Sequence, residues 1–450
     1  MKESHYLAGK ILLREEINIP NDQFHHLIEL GYLQSIPAIT RKFHQYKCNR
    51  CHTTTLHHFG KIPCSRCQTT HVYCRNCIQT GRVLFCEELF LWTGPDIVWP
   101  QQKNPCYWDG TLTKHQQLAA NAILHATSKP KQELLIWAVC GAGKTEMLYP
   151  AITEAIRHNK RICLATPRAD VVQELYPRLK EVFPNTEMEA LYGGTGDRTG
   201  VGQLIIATTH QLIRYQNAFD LLIIDELDAF PFHHDPLLHQ FAVRSAKKYA
   251  TKIYLTATPR PKQKRLIESN KLKAIFVPIR FHGYPLPVPR LRLELGLKRK
   301  ISQNKMLHSL EAFLDSHDPK RQWLLFVPTI QLLTPFAKLL EEKGLDLATV
   351  HADDPKRKEK ITAYREGKIN VLITTTILER GVTFPSIDVV MIDAGHDVFD
   401  EAAIVQIAGR AGRSPKDPTG DVLLIHQGKT EAMIQAVKQI KRMNQKGKAL

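Results

Sequence analysis

Short apolar runs alternate with amphipathic stretches along most of the chain, from about residue 111 onwards. The runs ELLIWAV, RICLAT, QLIIATT, DLLIID and KIYLTAT have the length and composition of buried parallel strands. Between them lie helical patterns such as TEMLYPAITEAIRH and ADVVQELYPRLKEV. This alternation predicts an α/β domain with a mostly parallel sheet.

A proline-rich segment, FHGYPLPVPRL (281–291), interrupts the alternation and is typical of a linker. Strand-like runs then resume as QWLLFVP, LATVHA, NVLITTT, DVVMIDA and DVLLIH, which predicts a second α/β domain of similar size. We therefore expect an N-terminal region over 1–105, a first α/β domain over 106–283 and a second over 284–450. The basic tail KQIKRMNQKGKAL is expected to fray or to form a solvated surface.

Composition narrows the class of protein. The 450 residues are 43% hydrophobic and 23% charged, as in ordinary globular proteins. The N-terminus lacks the apolar core of a secretory signal, and no run of about 18 apolar residues predicts a membrane span. We therefore expect a reducing cytosolic compartment, where disulfides are rare. The net charge of +17 favours a polyanionic partner, although solubility alone is an alternative.

The segment AVCGAGKTE follows an apolar run and precedes a helical pattern, as a phosphate-binding loop requires. The backbone of Gly141, Ala142 and Gly143 is expected to surround the phosphates of a nucleotide. Lys144 is expected to reach the β- and γ-phosphates, and the Thr145 hydroxyl to bind Mg²⁺. The alternative is a glycine-rich turn that contains GKT by chance.

Two acidic residues end the apolar run of LLIIDELD. Carboxylates at the carboxyl end of a parallel strand face the crevice where ligands bind. We expect Asp225 to hold Mg²⁺ through water and Glu226 to orient and deprotonate an attacking water. A strand-terminal acidic turn without chemistry is the alternative.

The segment QIAGRAGR supplies a third group of candidates. Gln406, Arg410 and Arg413 are spaced i, i+4 and i+7, which predicts one face of a helix. Gly409 and Gly412 would each cost such a helix about 1 kcal/mol relative to alanine. Close approach of the backbone to a ligand, with two guanidinium groups directed at phosphates, explains these glycines better than packing alone.

The order of these motifs resembles that of superfamily 2 helicases over roughly residues 110–425. TPRADVVQEL, TATP and TTTILERGVTFP match further motifs of that family. The resemblance implies two RecA-like lobes with ATP in the cleft between them, Arg410 and Arg413 as arginine fingers, and Thr256 and Thr258 as the coupling between hydrolysis and lobe closure. It also implies that Gln116 of LTKHQ contacts adenine, unless Thr113 is simply a helix N-cap.

The same resemblance places three segments along a nucleic-acid groove: the motif TPRADVVQEL, the segment ATTHQL and the motif TTTILERGVTFP. The residues implied as nucleic-acid contacts are Thr166, Pro167, Arg168, Thr208, Thr209, His210, Thr376, Arg380 and Gly381.

DELD followed by AFP, TTHQLIR, and an N-terminal cysteine cluster ending in YCRNCIQTGRV resemble the late competence protein ComFA family. The resemblance implies an ATP-driven single-stranded DNA translocase for uptake of transforming DNA, with ATP, Mg²⁺ and Zn²⁺ as cofactors. It further implies a cytoplasmic protein, at the inner face of the membrane when it meets the DNA-uptake channel and other late competence proteins, and an oligomer is compatible with it. The alternatives are a PriA-like replication-restart helicase and a zinc-finger adaptor with a switch-type ATPase.

Three C-x-x-C pairs remain to be explained, and a motor has no evident use for a dithiol redox couple. In this context they predict zinc sites within a module over about 46–88. The candidate ligands are Cys48, Cys51, Cys64, Cys67, Cys74 and Cys77. The favoured arrangement joins the first two pairs across a hairpin. Cys74 and Cys77 could replace one of those pairs, or begin a second site with Cys86 and a histidine such as His71.

Overall fold

The computed structural model describes residues 2–43, 45–193, 200–380 and 384–448. These residues form an N-terminal region and two parallel sheets, one of seven strands and one of six. The sheets lie on either side of the proline-rich linker. The predicted fold class, two RecA-like parallel-sheet lobes after a cysteine-rich module, is confirmed in its architecture.

The N-terminal region contains three small antiparallel sheets, with strand orders β1-β8-β2, β3-β4 and β5-β6-β7. The first sheet joins residues far apart in sequence, because Ile11 of β1 pairs with Leu91 of β8. The other two sheets carry the cysteines. The elements are α1 (Lys2–Leu7), β1 (Ile11–Leu13), α2 (Asn21–Glu29), β2 (Leu33–Pro37), β3 (Ile39–Lys42), β4 (Gln45–Cys48), β5 (Phe59–Pro63), β6 (Thr70–Cys74), β7 (Val83–Leu84) and β8 (Glu88–Trp92).

The first lobe has the strand order β11-β12-β10-β13-β14-β9-β15, and all its pairings are parallel. Its inner strands are almost wholly apolar and buried, as the sequence predicted. The elements are α3 (Lys114–Thr127), β9 (Glu133–Ala138), α4 (Tyr149–Arg157), β10 (Ile162–Thr166), α5 (Ala169–Val182), β11 (Met188–Leu191), β12 (Leu204–Thr208), β13 (Phe219–Ile224), α6 (Pro236–Ser245), β14 (Ala246–Thr256), α7 (Pro261–Glu268) and β15 (Lys273–Val277).

The second lobe has the strand order β16-β21-β20-β17-β19-β18, again parallel throughout. The elements are β16 (Arg290–Leu293), α8 (Leu297–Ser302), α9 (His308–Ser316), β17 (Gln322–Phe326), α10 (Leu333–Glu341), β18 (Leu347–Val350), α11 (Arg357–Arg365), β19 (Val371–Thr374), β20 (Ile387–Met391), α12 (Glu401–Ala408), β21 (Val422–His426) and α13 (Glu431–Lys448). Each of the ten apolar runs singled out in the sequence contains a strand.

The N-terminal region is attached to the first lobe by polar contacts. Lys10 forms an isolated β-bridge with Tyr215, and Arg161 donates from Nη1 to the carbonyl of Ala8 over 2.9 Å. Within the N-terminal region, Arg50 of the cysteine module is fully buried and forms a salt bridge with Glu16 over 2.8 Å. The cysteine module therefore has a fixed position beside the lobe that carries GKT.

The basic tail was expected to fray or to form a solvated surface, and the tail residues that the structure describes do not fray. The tail continues α13, which buries Met433, Ile440 and Met443. Although α13 follows the second lobe in sequence, its Gln439 donates from Nε2 to the carbonyl of Ala257 in the first lobe, over 3.0 Å. The basic tail is therefore part of an amphipathic helix that contacts both lobes. Within the described chain, no helix has the length and apolarity needed to cross a membrane.

Candidate active site

The glycine-rich loop lies between β9 and α4, where the sequence predicted it. Gly141 and Gly143 have φ angles of +78° and +71°, a region that residues with a side chain rarely adopt. A Cβ on Gly143 would lie 2.2 Å from Nε2 of Gln116, so only glycine fits there. The loop then enters a short 3-10 turn, Glu146–Leu148, ahead of α4. Its backbone can therefore approach a phosphate closely.

Gln116 supports this loop from behind. Thr113 and Gln116 form a capping box at the start of α3, in which the Thr113 N–H donates to Gln116 Oε1 over 2.8 Å. Gln116 Nε2 donates to the carbonyl of Ala142 over 2.9 Å. The N-cap alternative thus describes the local geometry, while the contact of Gln116 with adenine stays a prediction.

Asp225 and Glu226 follow β13 and face the glycine-rich loop. The Asp225 carboxylate accepts the Glu226 N–H over 2.8 Å, and Glu226 has the unusual φ of +54°. Glu226 Oε2 is buried and has no hydrogen-bond partner among the described residues. Burial raises the pKa of Glu226, the nearby Arg380 opposes this shift and Asp225 adds to it. A carboxylate of raised pKa with a free oxygen suits a general base.

The backbone conformation of QIAGRAGR differs from the predicted helix, whereas its side chains lie where the prediction placed them. Helix α12 ends at Ala408 with Gly409 as its C-cap, and Gly412 has a φ of +61°. Arg410 and Arg413 therefore do not continue one helical face, as the spacing predicted, but leave a turn. Both still face the cleft together with Gln406. After Ala408 the chain continues as tight turns, in which the N–H groups of Arg410 and Ala411 donate to carbonyls three residues earlier, and the left-handed Gly412 then excludes a return to helix.

Gly409 permits the closest contact between the lobes. A Cβ at this position would lie 2.5 Å from Cβ of Cys140, which precedes the glycine-rich loop. The Cys140 thiol donates to Gln406 Oε1 over 3.1 Å in the same place. The glycine therefore allows the backbone of one lobe to lie against the phosphate-binding loop of the other.

The arginines of this segment are poorly compensated by the protein. Arg410 is buried, and its Nε donates to the carbonyl of Glu379 over 3.0 Å. Burial lowers the pKa of Arg410 far below its usual range, and the neighbouring Arg413 lowers it further. Arg413 donates from Nε to the carbonyl of Gly409 over 2.9 Å, and burial lowers its pKa as well. Two guanidinium groups without carboxylate partners in this cleft favour a polyanionic ligand.

Arg380 is a correction to the sequence analysis, which placed it at the nucleic acid. It is 3% exposed and forms a salt bridge with Asp228 of the DELD motif. Thr256 and Thr258 also donate to the Asp228 carboxylate. Burial alone would raise the pKa of Asp228, but Arg380 and the two hydroxyls hold it well below its usual range. Arg380 therefore lies in the cleft and joins the second lobe to the two threonines expected to couple closure to hydrolysis.

Sequence reasoning missed Arg280, which lies between β15 and the proline-rich linker. Its side chain is fully buried, and Nη1 donates to the carbonyl of Gly412. Nε and Nη2 have no partner in the described parts of the chain, and Gly141 is the loop residue beside them. Burial and the nearby Arg413 lower the pKa of Arg280 to about 10. The one available signal was a lone arginine inside the apolar stretch IFVPIRF.

These groups enclose a single cavity between the lobes. Its lining consists of Cys140, Gly141, Lys144, Thr145, Val171, Glu174, Leu175, Arg178, Asp225, Glu226, Arg380, Gln406, Arg410 and Arg413. Cationic side chains outnumber the acidic ones, and they surround the glycine-rich loop. The triphosphate of a nucleotide fits this lining, and Thr145 with Asp225 provides the oxygen ligands that Mg²⁺ prefers.

Salt bridges at the start of α12 also hold the lobes together beyond the cavity. Arg260 of the first lobe lies 2.6 Å from the Asp400 carboxylate, and Lys264 lies 2.8 Å from that of Glu401. Both acids flank the start of α12, whose other end carries Gly409. The structure therefore describes a closed arrangement of the lobes.

The predicted nucleic-acid contacts are dispersed. Thr166, Pro167, Thr208 and Thr209 are buried. Arg168 is half-buried, pairs with Asp170 over 2.5 Å, and donates to the carbonyl of Ile377 in the other lobe. His210 is exposed, and Thr376 is half-buried. Gly381 lies outside the described residues.

The cysteines form two clusters, and the favoured pairing is wrong. Cys48 and Cys51 lie with Cys74 and Cys77, not with Cys64 and Cys67. The hairpin of β5 and β6 is the reason, because its register places Phe59 beside Cys74 and so brings the third pair, not the second, back to the first. All four thiols of this cluster are buried, with Sγ separations of 3.8 Å for Cys48–Cys77 and 3.4 Å for Cys51–Cys74. Tetrahedral zinc with bonds of about 2.3 Å separates its sulfurs by roughly 3.8 Å, so the cluster fits zinc.

Family models match three parts of the chain. Residues 2–91 match the "Competence protein ComFA N-terminal domain", residues 109–261 match "Type III restriction enzyme, res subunit", and residues 304–415 match "Helicase conserved C-terminal domain". The last two ranges contain the two lobes' contributions to the cavity. Solved structures agree in fold: yeast Dbp5 bound to RNA and ADP BeF3 has a TM-score of 0.54 at 17% identity, over 74% of this chain and 88% of that one.

Curated relatives match nearly the full length. The competence protein ComFA of Bacillus subtilis is 43% identical over 98% of this chain and 94% of its own. That of Streptococcus pneumoniae is 35% identical over 91% and 93%. The transcription-repair-coupling factor of Staphylococcus aureus is 27% identical over 64% of this chain but only 25% of its own. The first two matches cover the N-terminal region, both lobes and their cavity. The chain therefore belongs to the competence protein ComFA family.

Proposed function

We propose that this protein is an ATP-driven motor that moves along single-stranded DNA and powers the uptake of transforming DNA. The observation that carries the proposal is the cavity where the glycine-rich loop, the acid pair and the arginines of the second lobe meet. Among the described residues, buried guanidinium nitrogens of Arg280 and Arg380 have no hydrogen-bond partner there, and burying them is costly unless an anion binds. A nucleotide triphosphate supplies that anion only when the lobes are closed.

Each side chain has a role in this scheme. Lys144 and the backbone around it bind the phosphates, and Glu226 orients water and accepts its proton. Arg410 and Arg413 stabilise charge on the transferred phosphoryl group, an effect of about 10³-fold or more for arginine fingers. Thr145, and Asp225 through water, would hold Mg²⁺, which would supply positive charge to neutralise the phosphates. Release of phosphate would weaken the closed state by removing the partner of the arginines.

The proposal includes a nucleic-acid groove across both lobes, with Arg168, His210 and Thr376 among its contacts. The net charge of +17 supports a backbone-tracking mode, in which phosphate contacts dominate affinity. Such binding depends weakly on base sequence and strongly on salt, with roughly 0.7 counterions released per neutralised phosphate of a single strand.

The role in competence rests on the names of the two near-full-length relatives. We propose single-stranded DNA as substrate, the membrane DNA-uptake channel and other late competence proteins as partners at the cytoplasmic face, and self-association as compatible with that setting. The competing functions are a duplex-separating restart helicase and an adaptor whose ATPase is a switch. The match of the N-terminal region to the competence family favours the first proposal over both.

We also propose that Cys48, Cys51, Cys74 and Cys77 hold a structural zinc ion. The four buried thiols form a closed site of the kind that stabilises small domains. The role of this module is to present a basic surface to DNA or to a partner protein while Arg50 and Glu16 keep it attached.

The test measures ATP hydrolysis with single-stranded DNA, duplex DNA and RNA, together with displacement of a protein bound to a single strand. We expect stimulation by single-stranded DNA, displacement, and affinity that falls steeply with salt. Robust duplex unwinding would favour the restart helicase, and hydrolysis without displacement would favour the adaptor. A flat salt response would contradict the backbone-tracking mode.

A further inference from the structure

The second cysteine cluster has the composition of a metal site. Cys64, Cys67, Cys86 and His71 place their ligand atoms within 4.8 Å of one another. Cys64 Sγ lies 3.6 Å from Cys67 Sγ and 3.8 Å from Cys86 Sγ. These separations are close to the roughly 3.8 Å expected for sulfurs around one tetrahedral zinc ion. They are too long for a disulfide, whose sulfurs are about 2.0 Å apart.

The backbone repeats a turn already present at the first cluster. We call the C-x-x-C pair with the two residues that follow it a knuckle. In the first knuckle, His52 has a φ of +61° and donates to the Cys48 carbonyl over 2.8 Å. In the second, Gln68 has a φ of +57° and donates to the Cys64 carbonyl over 3.0 Å. A polar loop that happened to contain two cysteines has no reason to reproduce this left-handed turn.

The agreement extends to two further bonds. The N–H of the first cysteine donates to the second residue after the pair, Cys48 to Thr53 over 3.1 Å and Cys64 to Thr69 over 2.9 Å. In both knuckles, the backbone N–H of the second cysteine also lies near the sulfur of the first. Such N–H groups stabilise thiolate sulfur, the form that binds metal. Both knuckles are thus built for the same ligand.

Strand β6 contributes one residue to each cluster, from opposite faces. His71 and Cys74 are three positions apart, and an odd separation in a strand directs side chains to opposite sides. Cys74 belongs to the buried cluster and His71 to the second one. Nε2 of the His71 ring lies 2.9 Å from the Thr69 hydroxyl, a contact that orients the ring and occupies one of its two nitrogens.

We propose that Cys64, Cys67, His71 and Cys86 form a second zinc site, distinct from the buried four-thiol site. Three thiolates and one imidazole are a ligand set that zinc prefers. Cys67 and Cys86 are exposed, so this site exchanges its metal more readily than the buried one. Cys86 precedes β8, the central strand of the sheet β1-β8-β2. The second ion therefore fastens the hairpin of β5 and β6 to the sheet that contacts the first lobe.

Metal analysis of the full chain, purified in reductant and dialysed against metal-free buffer, tests the proposal. We expect two zinc ions per chain, one after Cys86→Ser or His71→Asn, and two again in His71→Cys, which restores a fourth ligand. Cys106→Ser, outside both clusters, is the matched control and keeps both ions. A weak chelator should remove one ion from the native chain early, and none at that stage from Cys86→Ser.

Two results would overturn the second site. One is a single zinc ion per native chain that Cys86→Ser leaves in place. The other is a disulfide among Cys64, Cys67 and Cys86 in protein kept under reductant, found by alkylation and mass analysis. Failure of the buried site gives a different pattern, because Cys86→Ser would then remove all the zinc. Cobalt loading adds an independent readout: native protein should show more cobalt–thiolate absorption than Cys86→Ser.

Discussion

The cleft between the lobes lies between sheets of seven and six strands, whereas the cysteine module has strands of only two to five residues around two clusters. In the lobes, buried strands position the charged side chains whether or not a ligand is bound. In the module, the four thiols of the first cluster count among the buried core beside a few residues such as Ile39 and Val83. The ligand is bound by a finished fold in one region and completes the fold in the other.

Lys144→Ala is the most direct test of this contrast at the cleft. It should abolish ATP hydrolysis and leave the melting temperature nearly unchanged, because Lys144 binds phosphate and supports no core. Lys129→Ala, an exposed lysine at the end of α3, is the matched control and should keep full activity. DNA-stimulated turnover in Lys144→Ala would contradict the assignment of the motor.

Removing metal from the module should have the opposite pattern. Cys48→Ser with Cys51→Ser removes two thiolates, and a hydroxyl is a poor zinc ligand at neutral pH. We expect loss of the buried zinc, local unfolding, DNA binding or partner docking strongly reduced, and ATPase reduced but present. Zinc content, ATPase rate and DNA-binding curves measure each step.

Cys106→Ser should match the native protein in all three measurements. Unchanged zinc in the double variant would disprove the ligand assignment. Loss of ATPase together with the fold would show that the module belongs to the core of the motor, and that the boundary near residue 105 is misplaced.

The link between Asp228 and Arg380 tests whether the lobes act as one unit. Asp228→Asn leaves a buried guanidinium short of its charged partner, which typically costs about 3–5 kcal/mol when a buried pair is broken. We expect kcat to fall by about 100-fold or more, with ATP binding retained. Asp220→Asn, at the other end of β13 and partly exposed, should behave almost as the native protein. Adding Arg380→Gln to Asp228→Asn should cost little more, and additive losses would show that the two do not act together.

Arg280→Lys should give the smallest effect of the four. Lysine keeps the charge but loses the planar fork, so one charge-assisted hydrogen bond is lost, worth about tenfold in kcat. Arg290→Lys, at an exposed arginine where β16 begins, should change nothing measurable. Equal rates for Arg280→Lys and native protein would mean that Arg280 only anchors Gly412.

Comparison of sequence and structure separates inner strands from edges. In the two lobes, every inner strand was visible as a continuous apolar run, because both faces of such strands are buried. The strands β11, β15 and β16 were not singled out, and all three lie at sheet edges. β16 is the clearest case, because three of its four residues are exposed and its sequence RLRL is half arginine. Their pairing comes from the sheet and not from their own pattern.

The residues of the candidate site also divide into those that the sequence predicted and those that it did not. The glycine-rich loop, the acid pair and the arginines of QIAGRAGR were predictable, since each is a local pattern with a chemical reason. Arg280, the position of Arg380 and the pairing of the cysteines were not, because each depends on what another part of the chain brings near. QIAGRAGR shows the limit within one motif, because the spacing of Gln406, Arg410 and Arg413 suggested one helix but α12 ends at Ala408 and the left-handed Gly412 follows.

Helix α13 and the linker together determine how the lobes can part. The helix lies along the edge of the first lobe at Phe276 and Ile279, where the linker also leaves that lobe. Asn444 of the helix exchanges two hydrogen bonds with the backbone of Leu286 in the linker, so the two connections run side by side. Two connections joined along one edge act as a hinge: the opposite edges of the lobes can separate while the joined edge stays fixed. In the motor that we propose, opening and closing of the cleft would then occur around this edge.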